Sequence, residues 1–342
     1  MGLMAVGTVA FVDPQLNDDD EEDFANSSVR LADEVEEEFA EDNFEPDYDP
    51  RGGDDAAILS PLDTSPEDSV TLTEGTDYDD LFEGSDENDR ARGQDGDDTL
   101  NGAAGNDELR GDDGDDVLAG DVGNDTLHGH DGLDLLDGGA EDDELFGHNA
   151  NDMLFGNTGN DALQGSAGDD WLDGGVGDDT LQGGLENDTL IGGDGADVLF
   201  GGWGDDVLSG LMRGAVGGDA DSSDYLNGGG GNDSILVGSG DIVTGGEGAD
   251  EIVLGDWLTS GEAAQITDYA AEDDSILLVW DDSIEATIEP QITLTVNPDV
   301  ANQTLVLLDG TVVASVNGSD LLPSDIALVP LSSATLLGLT AS

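Results

Sequence analysis

From Gly75 onward the chain repeats an apolar residue once in nine positions. Laid out in rows of nine, residues 75–209 make fifteen rows without a slip. Leu fills the eighth place in thirteen of the fifteen, with Phe82 and Ala91 as exceptions. Gly opens every row, from Gly75 and Gly84 to Gly201, and Asp holds every sixth place. Gly also fills the fourth place in ten rows. The first six residues read as a tight turn, because Gly at the first and fourth places permits backbone angles closed to other residues. The last three, such as Thr99-Leu100-Asn101, alternate outward, inward, outward as a strand does. One row predicts a turn plus a short strand. Two rows predict a coil of 18 residues, giving two parallel sheets with the Leu column between them. No Pro occurs between Pro66 and Pro290, as expected where each strand N–H must pair with the next coil.

The pattern also marks its own interruptions. Residues 210–218 (GLMRGAVGG) lack both the Asp and the Leu, yet Asp224 with Leu226 and Asp233 with Ile235 fall where the count of nine puts them. Residues 210–223 therefore read as a degenerate or looped-out coil. A short row of eight, VGSGDIVT, follows, and Gly245-Gly246-Glu247-Gly248-Ala249-Asp250 restores a good copy. The repeat domain spans 75–253. Past Asp256 the period is gone, and residues 256–342 hold runs rich in Ile, Leu, Val and Thr: Ser275–Trp280, Ile288–Val296, Thr304–Leu308 and Thr311–Val316. With Asp309-Gly310 as a hairpin turn, these predict a small antiparallel β domain capping the repeat stack. Upstream, residues 1–70 carry acidic runs among Pro14, Pro46, Pro50, Pro61 and Pro66, too polar and charged to bury a core. The expected fold is all-β: a parallel β-roll (β-solenoid), a C-terminal antiparallel β domain and a disordered acidic N-terminal segment.

Charge changes the picture. The 342 residues hold 83 Asp+Glu against 6 Lys+Arg, a formal net charge of −77. A compact state of that charge repels itself unless something cationic neutralises it. The same balance excludes nucleic acid as a partner, since phosphate contacts need Lys and Arg, and disfavours an anionic membrane surface. Cysteine is absent, so neither disulfide nor thiolate chemistry is available. Met1–Val12 is apolar but has no basic residue before it, as a cleavable signal would need, and stops at Asp13. It is too short for a spanning helix and reads at most as the remnant of an anchor.

One Leu per nine residues is little apolar burial, and each row also stacks a carboxylate on its neighbours. The missing stabilisation is a hard cation. Calcium takes six to eight oxygen ligands from carboxylates and main-chain carbonyls, which Asp and glycine turns supply. Rows such as Gly174-Gly175-Val176-Gly177-Asp178-Asp179-Thr180-Leu181-Gln182 and Gly201-Gly202-Trp203-Gly204-Asp205-Asp206-Val207-Leu208-Ser209 resemble in full the G-G-x-G-x-D-x-U-x repeats of the RTX (hemolysin-type) calcium-binding family. The resemblance implies multiple Ca²⁺ ions held between successive coils by the sixth-place carboxylates. Those are Asp80, Asp89, Asp98, Asp107, Asp116, Asp125, Asp134, Asp143, Asp152, Asp161, Asp170, Asp179, Asp188, Asp197 and Asp206, with Asp224, Asp233 and Asp250. Tyr78, Glu87, Glu141, Ala150 and Glu186 replace the fourth-place Gly and put the sites touching them in doubt. Row 84–92, with Ala91 in the core between Arg90 and Arg92, suggests a frayed first coil. The resemblance further implies a secreted, extracellular protein exported by type I secretion machinery. Leu321–Ser342, with Asp325 as its sole charge, is compatible with an uncleaved C-terminal export signal.

Other chemistries find less support. His128, His130 and His148 invite a zinc reading, but variable positions in or beside turns account for them. No H-E-x-x-H or G-x-S-x-G occurs, against a metalloprotease or a lipase-type hydrolase. The chain therefore reads as a calcium-binding protein and not an enzyme, with a structural or binding role. The alternative is a calcium-dependent adhesin or matrix protein in which the C-terminal β domain or the roll face, with Phe146, Phe155, Phe200, Trp171 and Trp203 as scattered aromatics, engages a glycan or another cell. A module of a secreted enzyme comes third.

Overall fold

The computed structural model describes residues 57–59, 71–211, 222–259, 262–280, 282, 289–318 and 321–331. The anchor reading of Met1–Val12, most of the interrupted row and the expected disorder of the N-terminal lead lie outside the described residues, except at Ala57–Leu59, where a strand paired in parallel with Asp80–Glu83 replaces the expected disorder. Two compact units divide at Gly184 and Leu185, and each is a stack of parallel coils.

In the first unit, successive strands alternate between two parallel sheets. Glu144–Asn149 lies between Thr126–Asp131 and Ala162–Ala167, with Leu145 opposite Leu127 and Leu163. Met153–Thr158 lies in the other sheet between Leu135–Ala140 and Trp171–Val176, with Leu154 opposite Leu136 and Leu172. Partners stand 18 residues apart, so the predicted coil length holds. The Leu column from Leu100 to Leu181 fills the space between the sheets, each residue at most 2% exposed. Each buried Leu contributes about 1.5–3 kcal/mol.

The strands are longer than the three residues expected. Val117–Val122 is typical: six residues spanning the seventh place of one row to the third of the next. The turn shrinks accordingly to three residues. Within that strand Leu118 and Gly120 are buried and their neighbours are not, so the first-place Gly faces inward. Its role differs from the one read off the sequence. The left-handed positions are the second place, as at Asp112 (φ 82) and Asp121 (φ 68), and the fourth, as at Gly114 (φ 143) and Gly123 (φ 135). The first-place Gly is needed for space: a Cβ on Gly111 would collide with the Asp116 carboxylate, and one on Gly129 with that of Asp134.

Glu141, Ala150 and Glu186 adopt left-handed angles of φ 77, 76 and 70, so these turns persist without glycine, at about 1–2 kcal/mol each. The first coil is closed rather than frayed. Asp89–Asp95 pairs with Thr71–Glu74 on one side and Glu108–Asp113 on the other. Arg90 and Arg92 turn outward to Glu108 and Asp112, while Ala91 is buried.

In the second unit the ladder absorbs irregular coils. Val198–Trp203 pairs with Tyr225–Gly230, and Val207–Ser209 with Ser234–Leu236, both across 27 residues. In both pairs the partners stand nine residues further apart than in the regular coil. The next coil closes in 17, with Leu226 opposite Val243. Past Asp256 the nine-residue period ends but the parallel ladder does not. Glu251–Gly255 pairs in parallel with Ser275–Trp280, which pairs in parallel with Ile326–Pro330. An unbroken apolar run such as Ile276–Val279 suits a parallel strand covered on both faces. Leu277 and Val279 indeed join Leu236 and Val253 in an outer cluster covered by Leu211, Trp257, Val329 and Leu331. Among the described residues antiparallel pairing is confined to Ile292–Val296, Gln303–Leu308 and Thr311–Asn317. Asp309 (φ 50) and Gly310 (φ 91) form the hairpin turn between the last two.

Candidate metal sites

The chemistry sits where each turn re-enters a strand. The sixth-place Asp ends the turn, and its carboxylate folds back beneath the first-place Gly of its own row. Its Oδ1 accepts the backbone N–H of the corresponding Asp one coil earlier. Asp80 N–H donates to Asp98 at 2.7 Å, Asp98 to Asp116 at 2.7 Å and Asp116 to Asp134 at 2.9 Å. A second column runs from Asp89 through Asp107, Asp125 and Asp143 to Asp161. In the second unit Asp188 donates to Asp206, Asp206 to Asp233 and Asp233 to Asp250.

Every sequence-predicted Asp, from Asp80 to Asp206 and at Asp224, Asp233 and Asp250, lies in such a column and is at most 3% exposed. The structure adds members that the count of nine missed. Asp241, in the row of eight, is fully buried and accepts the Asp224 N–H at 3.0 Å. Asp274, beyond the repeats, accepts the Asp250 N–H at 3.2 Å. A one-residue deletion hides the first, and the lost period hides the second. The fifth place carries another ladder that sequence reasoning overlooked: Asp97 Oδ1 accepts the Asp115 N–H, and Asn106 Oδ1 the Asn124 N–H. This exposed column binds the next coil, whereas the buried one binds the previous coil.

The second oxygen of the buried carboxylates carries the functional information. Oδ2 of Asp98, Asp107, Asp116, Asp125, Asp134, Asp143, Asp152, Asp161, Asp206, Asp233 and Asp250 is sealed from solvent without a hydrogen-bond partner. A buried unpaired charge is costly. Burial accordingly pushes the carboxyls of Asp98, Asp116, Asp134 and Asp233 up to about 7 and those of Asp143 and Asp152 to about 8. The N–H bond from the previous coil pulls the other way, and neighbouring carboxylates add to the rise. Fourth-place carbonyls line the same turns, since a Cβ on Gly114 would collide with the Gly96 carbonyl and one on Gly177 with that of Gly159. Orphaned anionic oxygens in a carbonyl-lined turn fit a hard, oxygen-seeking cation.

A parallel β-solenoid with a stacked carboxylate in each turn defines a repeat protein whose turns suit an oxygen-seeking cation. The family model for the RTX calcium-binding nonapeptide repeat (4 copies) matches residues 74–109, 110–145, 146–181, 182–211 and 220–241. The chain thus carries RTX calcium-binding nonapeptide repeats within residues 74–241, just under half of its length. No curated protein matches the chain. Among solved structures that do, the extracellular lipase LipA from Serratia marcescens is 16% identical, with a TM-score of 0.18. The match covers 80% of this chain and 42% of that one. Among the described residues no helix is long and apolar enough to cross a membrane.

The pH dependence without metal follows from the raised carboxyls. An acid whose folded-state pKa is raised favours the fold when protonated, so its destabilising effect is absent at low pH and complete above the folded value. The calcium-free chain should gain β structure as pH falls from above 8 toward about 4, through the range to which burial moves these groups. Far-UV circular dichroism in chelator checks this, and a β signal that falls on acidification would contradict it.

Proposed function

We propose that this chain is a secreted calcium-binding β-roll that folds on meeting extracellular calcium and has a structural or binding role rather than a catalytic one. The observation that supports it is the column of sealed, partnerless Oδ2 atoms. In this reading the sixth-place aspartates, Asp80 to Asp206 at steps of nine with Asp224, Asp233 and Asp250, are the carboxylate ligands, joined by Asp241. Turn carbonyls complete each site. Extracellular-grade sites bind calcium at about 10⁻⁴–10⁻³ M, so the chain stays unfolded at cytosolic calcium, as export through a type I channel requires.

A calcium titration followed by circular dichroism, with magnesium as control, tests the core of the reading. The expected result is a cooperative coil-to-β transition near millimolar calcium and none with magnesium. A chain already β-structured in chelator at pH 8 would overturn it. Asp116→Asn keeps an acceptor for the Asp98 N–H but removes the anionic oxygen. It should cost about 2.7 kcal/mol at calcium a hundredfold above Kd, and Gly111→Ala, which drives a methyl into the same carboxylate, should act likewise. Export is tested by deleting residues 332–342, which leaves the strand Ile326–Pro330 intact. Secretion at the undiminished rate would count against a C-terminal signal.

A second reading, a calcium-dependent adhesin for a glycan, is favoured by one surface feature. On the second unit the Phe200 and Tyr225 rings lie 5.8 Å apart, and Trp203, on the same strand as Phe200, is 65% exposed. Aromatic faces of this kind stack on sugar rings. Polysaccharide pull-down should then require calcium and weaken in Trp203→Ala, and equal retention by both chains would remove this reading.

A further inference from the structure

One sheet of the first unit carries on its outer face three histidines that the coil geometry brings together. The strands place them there: His128 and His130 lie on Thr126–Asp131 and His148 on Glu144–Asn149, because strands run through the second place of each row. His130 stands opposite His148 in the ladder, and His128 opposite Phe146. One ligand nitrogen from each lies within 4.8 Å of the others. His128 Nδ1 and His148 Nε2 are 3.1 Å apart, and the His130 and His148 rings stack at 4.5 Å. His130 Nε2 is sealed from solvent without a hydrogen-bond partner, and Asp112 Oδ1 stands 3.7 Å from it.

We propose that His128, His130 and His148 form a binding site for a borderline-soft divalent transition ion of the zinc class, separate from the calcium columns. Imidazole nitrogen suits zinc, copper or nickel, whereas calcium selects oxygen, so the two kinds of site do not compete for one ion. With Zn–N bonds of about 2.0–2.1 Å, tetrahedral ligand nitrogens stand roughly 3.3 Å apart. The His128–His148 pair is already near that separation. His130 reaches it by a turn of its ring. Asp112 is placed to orient His130, as carboxylates beside ligating histidines do.

The protonation states agree with this geometry. Burial lowers His128 to about 4 and lowers His148 as well, with Arg110 and the neighbouring imidazoles adding to the effect. At neutral pH these two rings are uncharged and keep a lone pair for a metal. His130 and His148 come together only when the 18-residue coil closes, so zinc should bind the calcium-folded chain and stabilise it in turn.

The test uses the full chain saturated with calcium, titrated with zinc against a chromophoric zinc indicator. His130→Gln and His148→Gln lie on the outer face, and circular dichroism in calcium reports whether each has folded. The expected result is one zinc equivalent held above the carboxylate background, weakened at least ~10-fold in each variant. Equal zinc uptake by all three folded chains overturns the proposal. So does failure of the native chain to outcompete the indicator while its imidazole proton resonances stay unmoved, which would leave only a hydrogen-bonded histidine pair. Calcium folding is read by circular dichroism in the same samples, so a failure of the calcium reading is seen separately.

Discussion

One carboxylate per nine residues is taken out of water, and the rest of the structure is organised around making that tolerable. Apolar transfer from one Leu per row cannot by itself offset a buried unpaired charge. The Asp Oδ1 is satisfied locally by the N–H of the previous coil, at 2.7 Å for Asp98. The Oδ2 of Asp98, Asp116 and Asp134 is not, and burial raises these carboxyls to about 7. In the reading proposed above, a cation supplies the stabilisation these oxygens lack, and folding is then coupled to metal.

The same constraint dictates the glycines. Leu118 and Gly120 both face inward from one strand, but the volume under Gly120 belongs to the Asp125 carboxylate. A side chain at the first place would displace that carboxylate. The fourth place is more forgiving, because Glu141 and Ala150 reach left-handed angles at a modest cost. Gly at every first place and in only ten of fifteen fourth places mirrors that difference between lack of space and strain.

Parallel pairing tolerates changes of loop length better than the row pattern suggests. Coils of 18, 27 and 17 residues keep the Asp column aligned, as Asp206 to Asp233 and Asp233 to Asp250 show. Register is set by what must be inside, Leu or Ile at the eighth place and carboxylate at the sixth, and a slip of one residue would turn both outward. Beyond the repeats, Ser275–Trp280 and Ile326–Pro330 extend the ladder with unbroken apolar runs. There apolar side chains such as Ile276, Leu277, Leu278 and Val279 are buried on both faces of the strand.

By itself the sequence determined the coil, the two parallel sheets, the Leu column and the eighteen aspartates, because each follows from spacing within one or two rows. Asp241 and Asp274 escaped that count, since a deletion and a lost period break the spacing while the ladder restores it. The six-residue strands were hidden because their second half lacks an apolar marker: Gly, the inward residue there, reads as turn. Tertiary structure alone decided the histidine cluster. His128, His130 and His148 look like scattered variable residues along the chain, and their proximity depends on which outward places share a sheet and a coil. Inward positions are legible in sequence because burial restricts them to few residue types, whereas outward neighbours are set by stacking, which restricts hardly anything.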